Sequence, residues 1–284
     1  MQLLLMSVLL LGGLGLLGAI VLYLTAKKFR VEEDPRIDRI EALLPGANCG
    51  ACGCNGCHDF AVTCVRRGNL DGGLNCPGAR EGAMEEIAAI LGVAATAAEK
   101  KIAVLRCNGS CQARPLRYEY DGAMSCAVMD AVGVGTRGCS FGCLGCGDCV
   151  AACHFGAIRI NPDTLLPEID PEACTGCGQC AAACPRHIID MSPLGPRGRR
   201  VWVACSSHDR GAVARKICTS ACIGCGKCAS TCPFGAITVS GNLAYIDPAL
   251  CKTCGKCVPV CPTGAIHTNW VLPKKEASEN DKDV

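Results

Sequence analysis

Residues Cys143–Pro185 read CLGCGDCVAACHFGAIRINPDTLLPEIDPEACTGCGQCAAACP. Two C-x2-C-x2-C-x3-C runs stand here, and two more follow as CIGCGKCASTCPFGAI from Cys222 and CKTCGKCVPVCPTGAI from Cys251. Thiolates two residues apart can wrap one face of a cubane iron–sulfur cluster, and small residues between them let backbone N–H groups approach the sulfides. In such paired runs the fourth Cys ligates the other cluster. Numbered in chain order, this logic assigns Cys143, Cys146, Cys149 and Cys184 to centre 2. Cys153, Cys174, Cys177 and Cys180 form centre 3. Cys222, Cys225, Cys228 and Cys261 form centre 4, and Cys232, Cys251, Cys254 and Cys257 form centre 5.

A single C-x2-C pair also suits zinc. Four tandem runs, three of them with Pro directly after the last Cys, argue for iron and sulfide instead. The exception is Cys153, followed by His154, which alters the local turn rather than the thiolate; His154 reads as a solvated or packed ring before it reads as a ligand. Only 4% of residues are aromatic and 19% charged, while 28 of the 284 are Cys. So few large side chains cannot build a conventional core, and bound clusters must stabilise the fold as structural metals do in small modules. The net charge of +2 gives no field for nucleic acid, and basic residues are not interleaved with aromatics. A secreted disulfide scaffold is the competing use of many cysteines; the tandem spacing opposes it.

From Leu3 to Leu24 the chain carries 22 residues without a charge. At ~1.5 Å per residue that is about 33 Å, enough to span a hydrocarbon core. Lys27, Lys28 and Arg30 follow and nothing positive precedes, which places the remainder of the chain in the cytoplasm. The expectation is a single-pass protein of the cytoplasmic membrane with its soluble part facing inward. The segment lacks the basic start and small-residue cleavage site of a signal peptide, and Gly12, Gly15, Gly18 and Ala19 give it a small-residue face for packing on other membrane subunits.

Farther on, LPGANCGACGCNGCHDFAVTC precedes GGLNCPGAR. Cys49, Cys52, Cys57 and Cys76 have the spacing of a compact four-thiolate site, centre 1, with Cys54 and Cys64 as extras; Cys54 in place of Cys52 or Cys57 is the alternative. Residues Ala79–Gly92 read as a helix with Ile87, Ile90 and Leu91 at helical spacing.

Beyond Lys100 the chain is duplicated. KKIAVLRC, ending at Cys107, matches RRVWVACS, ending one residue past Cys205, and both read as strands. Cys139 and Cys218 each stand four residues before a ferredoxin-like run. The first copy also holds Cys111 and Cys126, so Cys107, Cys111, Cys126 and Cys139 are a candidate sixth set; Cys205 and Cys218 are only two and cannot fill a cubane alone. GVGTRG, residues 133–138, matches a dinucleotide-binding loop by chance, since no strand–loop–helix context frames it. Arg197, Arg199 and Arg200 crowd PLGPRGRR, either a solvated loop or a docking patch for an acidic redox partner.

The charge-free N-terminal stretch, LPGANCGACG with NCPGA, and the paired C-terminal runs together resemble the B subunits of Rnf complexes, ion-translocating ferredoxin:NAD+ oxidoreductases of bacterial membranes. The resemblance covers nearly the whole chain, and its most specific part is Cys49–Cys76. The form with two ferredoxin pairs and RCNGSC is similar to the version found in anaerobes, although Cys54 stands where that family usually has another residue. It implies a subunit that takes low-potential electrons from soluble ferredoxin and passes them to flavin or iron–sulfur subunits of the complex. Those partners complete NAD+ reduction and move an ion. The chain itself would carry five [4Fe–4S] clusters, with a sixth in prospect, and no flavin or NAD. Two other wirings share these residues: an electron-transfer subunit of a different membrane enzyme, such as a hydrogenase or molybdenum oxidoreductase, and a reducing system for a redox-sensing regulator. A zinc scaffold is the non-redox alternative.

The expected fold is α+β. A transmembrane helix (1–26) precedes a small helical [4Fe–4S] domain (27–93). Two dicluster-ferredoxin-like domains follow (94–195, with a Cys-containing insert, and 196–272), then a disordered tail (273–284).

Overall fold

The computed structural model describes residues 2–28, 33–70, 74–94, 100–133 and 135–271, the side chains at 3–5, 7, 8 and 26 excepted. The charged tail from Lys274 therefore lies outside the described residues. Helix α1 spans Gln2–Lys28 and ends on Lys27 and Lys28. Its described leucines are exposed, Leu10 and Leu22 at 71%. The expectation of a membrane span is corrected here: among the described residues, no helix is long and apolar enough to cross a membrane. The single-pass topology and the cytoplasmic-membrane location fall with it.

Three short helices follow. Helix α2 (Pro35–Glu41) starts on Pro35, where the missing N–H costs nothing, with the Asp34 carboxylate accepting from the Arg36 N–H at 2.9 Å. Helix α3 (Cys57–Arg67) stops at Gly68 and α4 (Ala83–Leu91) at Gly92, both left-handed. Helix α4 begins four residues later than the sequence suggests, because the chain turns through Gly82 at φ 81° before it can coil. Ile37, Ile40, Phe60, Cys64, Leu74 and Ile87 form the core between them.

The duplication in sequence is a duplication in fold. The first copy contains β1 (Lys101–Leu105), α5 (Cys126–Val132), α6 (Asp148–Ala151), β2 (Ile158–Ile160), β3 (Pro167–Ile169), α7 (Gln179–Ala182) and β4 (Ile189–Pro193). The second contains β5 (Val201–Val203), α8 (Gly211–Ile217), α9 (Lys227–Thr231), β6 (Ile237–Ser240), β7 (Leu243–Ile246) and β8 (Ile266–Thr268). In each, an antiparallel outer pair encloses an antiparallel inner hairpin. Strand β1 pairs β4 with Leu105 opposite Ile189, and β2 pairs β3; β5 pairs β8 with Val203 opposite Ile266, and β6 pairs β7. GVGTRG follows helix α5 rather than a strand and runs into the Cys139 loop, so it frames no dinucleotide.

The cysteine loops owe their wrap to alternating left-handed residues. Gly224 (φ 64°) and Gly226 (φ 74°) punctuate the Cys222 run, and its counterpart uses Thr253 (φ 49°) and Gly255 (φ 72°). A Cβ on Gly224 would lie 2.8 Å from the Asn242 carbonyl oxygen, which is backbone and cannot swing aside. Gly224→Ala is therefore expected to lower stability by about 2 kcal/mol or more, strain and clash together, whereas Thr253→Gly removes strain and holds or raises it. Chemical denaturation of the two variants under anaerobic conditions checks this pair; equal midpoints would contradict it.

Hydrogen bonds to backbone carbonyls join the two copies. Asn108 N–H donates to the Ala204 carbonyl at 2.9 Å, Thr219 N–H to Ala113 at 3.0 Å, and the Trp202 indole N–H to Leu105 at 3.1 Å. The N-terminal helices meet the first copy where the Gln179 amide donates to the Cys49 carbonyl and the Phe155 ring lies against Gly78.

Candidate metal centres

All 28 cysteines are free thiols. They gather in apolar cavities. Cys153, Cys174, Cys177 and Cys180 line one of about 300 Å³, beside helix α7. Cys222, Cys225, Cys228 and Cys261 line another of about 350 Å³, and Cys232, Cys251, Cys254 and Cys257 a third of about 310 Å³. These are the quartets expected for centres 3, 4 and 5. Helix α7 is only one turn long, and its Cys180 points inward because Gly178 at φ 79° turns the chain just before it.

Centre 2 is more crowded. Its cavity, about 400 Å³, is lined by Cys143, Cys149 and Cys184 together with Cys126. Burial raises the Cys146 thiol pKa to about 11, and Cys126, against which it stands, adds to the shift. Cys126 thus joins centre 2 as a fifth thiol. The Asp148 carboxylate holds the start of α5 there, accepting from Cys126 N–H at 2.9 Å, Ala127 N–H at 3.1 Å and the Ser125 hydroxyl at 3.0 Å. Burial alone would raise the Asp148 pKa, but these donors outweigh it and hold the carboxyl low.

At centre 1, the Cys76 thiol is pushed up to about 11, first by burial and then by the neighbouring Cys52, Cys57 and Cys49. Cys54 stands beside Cys52, and Cys64 is fully buried and pushed up to about 12. The Asn48 amide oxygen accepts from Cys57 N–H at 2.8 Å and occupies the space a side chain at Gly56 would need.

The remaining cysteines regroup. Cys111 donates to the Asp163 carbonyl at 2.8 Å and lines none of the five cavities. Cys107 and Cys139 instead share a cavity of about 390 Å³ with Cys205 and Cys218 of the second copy. Of the three arginines read as a patch, Arg200 is buried at 7% exposure and lies 5.9 Å over the Trp202 ring, while Arg197 is exposed. Arg200 is thus unavailable to a partner.

The residues fit iron–sulfur clusters. Among the described residues, no group of three or more His, Cys, Asp or Glu side chains could hold a single metal ion. Zinc would need four sulfurs drawn to about 2.3 Å from one point; rings of thiols around cavities suit a cage several atoms across. Among the described residues, three buried side-chain polar atoms lack any hydrogen-bond partner: Arg114 Nε, Thr175 Oγ1 and Arg200 Nε. Thr175 lines the centre 3 cavity, Arg114 lines the cavity of Cys107, and the Arg200 charge is felt from Cys174. Thr175 and Arg114 are thus donors left facing sites where an anionic cluster would accept.

Cavity after cavity closed by thiols, on a fold made of two short-stranded copies, defines a multi-cluster iron–sulfur electron-transfer protein. The family description "4Fe-4S dicluster domain" matches residues 142–219 and 221–265, and "Putative Fe-S cluster" matches 44–69. The chain is 43% identical over 241 residues to the B subunit of the Na(+)-translocating ferredoxin:NAD(+) oxidoreductase complex of Acetobacterium woodii, covering 84% of this chain and 69% of that protein. It is 39% identical to the proton-translocating counterpart of Clostridium ljungdahlii, covering 84% and 82%. The B subunit of the ion-translocating oxidoreductase complex of Methanosarcina acetivorans is also 39% identical, over 85% and 89%. The chain belongs to the B subunits of Rnf-type ion-translocating oxidoreductase complexes.

Proposed function

We propose that this protein accepts single electrons from reduced ferredoxin and relays them through its clusters to partner subunits of an ion-translocating ferredoxin:NAD+ oxidoreductase. The names of the relatives support both the donor and the acceptor complex. Four thiolates close every centre, leaving no open position for substrate at iron; when bound, each cluster supplies one-electron exchange and nothing more. The chain's own residues set the route. Cys180 feels Cys149, and Cys257 feels Cys228, so the two centres within each copy adjoin.

One observation carries the reading of where electrons enter. Among the cysteines only Cys225 and Cys254, ligands of centres 4 and 5, are solvent-exposed. Exposed Lys227, Lys252 and Lys256 line the same two cavities. An acidic donor would be steered there by charge, with the benefit falling on encounter rate. Lys227→Glu, Lys252→Glu and Lys256→Glu together are expected to slow reduction by ferredoxin about 10- to 100-fold at low salt and to flatten its salt dependence. Stopped-flow reduction of the anaerobic protein measures this. If Arg197→Gln with Arg199→Gln slows uptake instead and the lysine variant does not, the entry point lies at the arginine loop.

A further inference from the structure

We propose that Cys107, Cys139, Cys205 and Cys218 hold a sixth [4Fe–4S] cluster at the joint between the two copies, two ligands from each. The four thiols come from equivalent places in the duplicated sequence: Cys107 and Cys205 follow β1 and β5, and Cys139 and Cys218 precede the Cys143 and Cys222 runs by four residues. Neither copy alone has enough ligands at these positions; docked, they make a complete quartet. The cavity they line is about 390 Å³, within the range of 300 to 400 Å³ found at centres 2 to 5.

Two independent features point to an anionic guest. The first is backbone donors. At Cys143, Cys251 and Cys76 the N–H two residues on, from Gly145, Thr253 and Gly78, donates to the sulfur. The same wrap recurs at Cys107 with Gly109 (3.4 Å), at Cys205 with Ser207 and at Cys218 with Ser220. No such bond is needed to keep a neutral buried thiol in place, whereas thiolate ligands are stabilised by them. The second is Arg114. It is 2% exposed, lines this cavity, and its Nε has no partner, while its other end donates to the Cys143 carbonyl. A buried, half-satisfied guanidinium is costly unless a negative charge stands opposite. Gly109 and Gly142 leave it room: an added Cβ would meet Arg114 at 3.1 Å and closer, respectively.

The position gives the site a role. Cys143 N–H, from centre 2, donates to Cys107 at 3.4 Å, and Cys222 N–H, from centre 4, donates to Cys205. The new cluster thus lies between the pairs and turns two separate relays into one. On assembly the four thiols release their protons to solvent as the sulfurs bind iron, and the cluster then carries one electron in and out. None of this depends on which donor reduces the chain.

The test uses the full chain, purified anaerobically. Wild type is expected to hold about 24 iron and 24 sulfide, six cubanes of four each; about 20 would overturn the proposal. Cys205→Ser with Cys218→Ser should lose about four of each and one low-temperature EPR signal, whereas Cys111→Ser with Cys126→Ser should lose none. Iron retained by the first pair, or lost from the second instead, would overturn the assignment. Arg114→Gln keeps every thiol, so it guards against a Cys variant that simply fails to fold. It should leave iron content intact and make one centre's potential more negative, because a positive charge facing a cluster favours its reduced form. Unchanged potentials at every centre would mean that Arg114 faces no cluster and that its cavity is not a sixth site.

Discussion

Stripping iron from the anaerobic protein with a chelator is expected to abolish cooperative unfolding of residues 100–271. The core of the second copy contains twelve buried residues, four of them Cys, and the rest are Ala, Val, Ile and Leu. No aromatic ring fills it. The sheets have two strands of three to five residues, and isolated two-stranded pairs are marginal in water. A structural metal site contributes on the order of 10 kcal/mol to folding, comparable to the whole ~5–15 kcal/mol stability of a domain. Emptying the cavities therefore removes the fold's main support.

The N-terminal helices should fare better, since Phe60, Ile40, Ile87 and Leu74 pack there as apolar residues. Far-UV circular dichroism with hydrogen exchange reads both parts. A sharp transition that survives iron loss would refute the claim that clusters hold the two copies together.

The pH response distinguishes loaded from stripped protein. Burial pushes the Cys64 thiol, inside the N-terminal helices, up to about 12. Residual stability of those helices in the stripped chain is thus fully present below pH 9, the ordinary thiol value, and is lost as pH rises toward 12. Loaded protein behaves oppositely, because its ligands are thiolates and acid competes with iron for them.

The second large effect is expected at Arg186. Its side chain is 5% exposed and pairs with Asp130 at 2.7 Å, while donating to the carbonyls of Cys139 at 2.6 Å and Gly142 at 2.7 Å. One guanidinium thus fastens the 126–142 segment to the loop behind Cys184. Arg186→Met removes the donors and leaves a carboxylate and two carbonyls to find water. The cost is about 3 kcal/mol, at the lower end for a broken buried pair because Asp130 is itself 33% exposed. Amide exchange in α5 should quicken more than tenfold, and centre 2 should become the first cluster lost on mild oxidation. Exchange unchanged around Met129 would show that the segment is held by something else.

How much of this was legible in the chain differs from residue to residue. The strands at Lys101–Leu105 and Val201–Val203 were readable because short β-rich runs sit between basic residues and a Cys. Arg200 was not readable: its burial against Trp202 comes from the fold, and a sequence shows it only as one charge among three. The uncharged run Leu3–Leu24 reads as a membrane span, but among the described residues no helix is long and apolar enough to cross a membrane.

Amino-acid order by itself points to the quartets at centres 2 to 5, because two-residue gaps with glycine let a loop curl around something near at hand and a paired run brings its own fourth ligand; the structure gathers three of them around cavities as expected and adds Cys126 at centre 2. The order also determined that the chain repeats itself. The convergence of Cys107 and Cys139 with Cys205 and Cys218 was decided only by tertiary structure, as was the placing of Cys126 beside Cys146. Cys107 and Cys139 lie far from Cys205 and Cys218 along the chain and meet them only when the two copies dock through bonds such as Asn108 to Ala204, whereas Cys126 is held near Cys146 within the first copy by Asp148. Local spacing governs what a loop can enclose; which loops face each other depends on how whole surfaces pack.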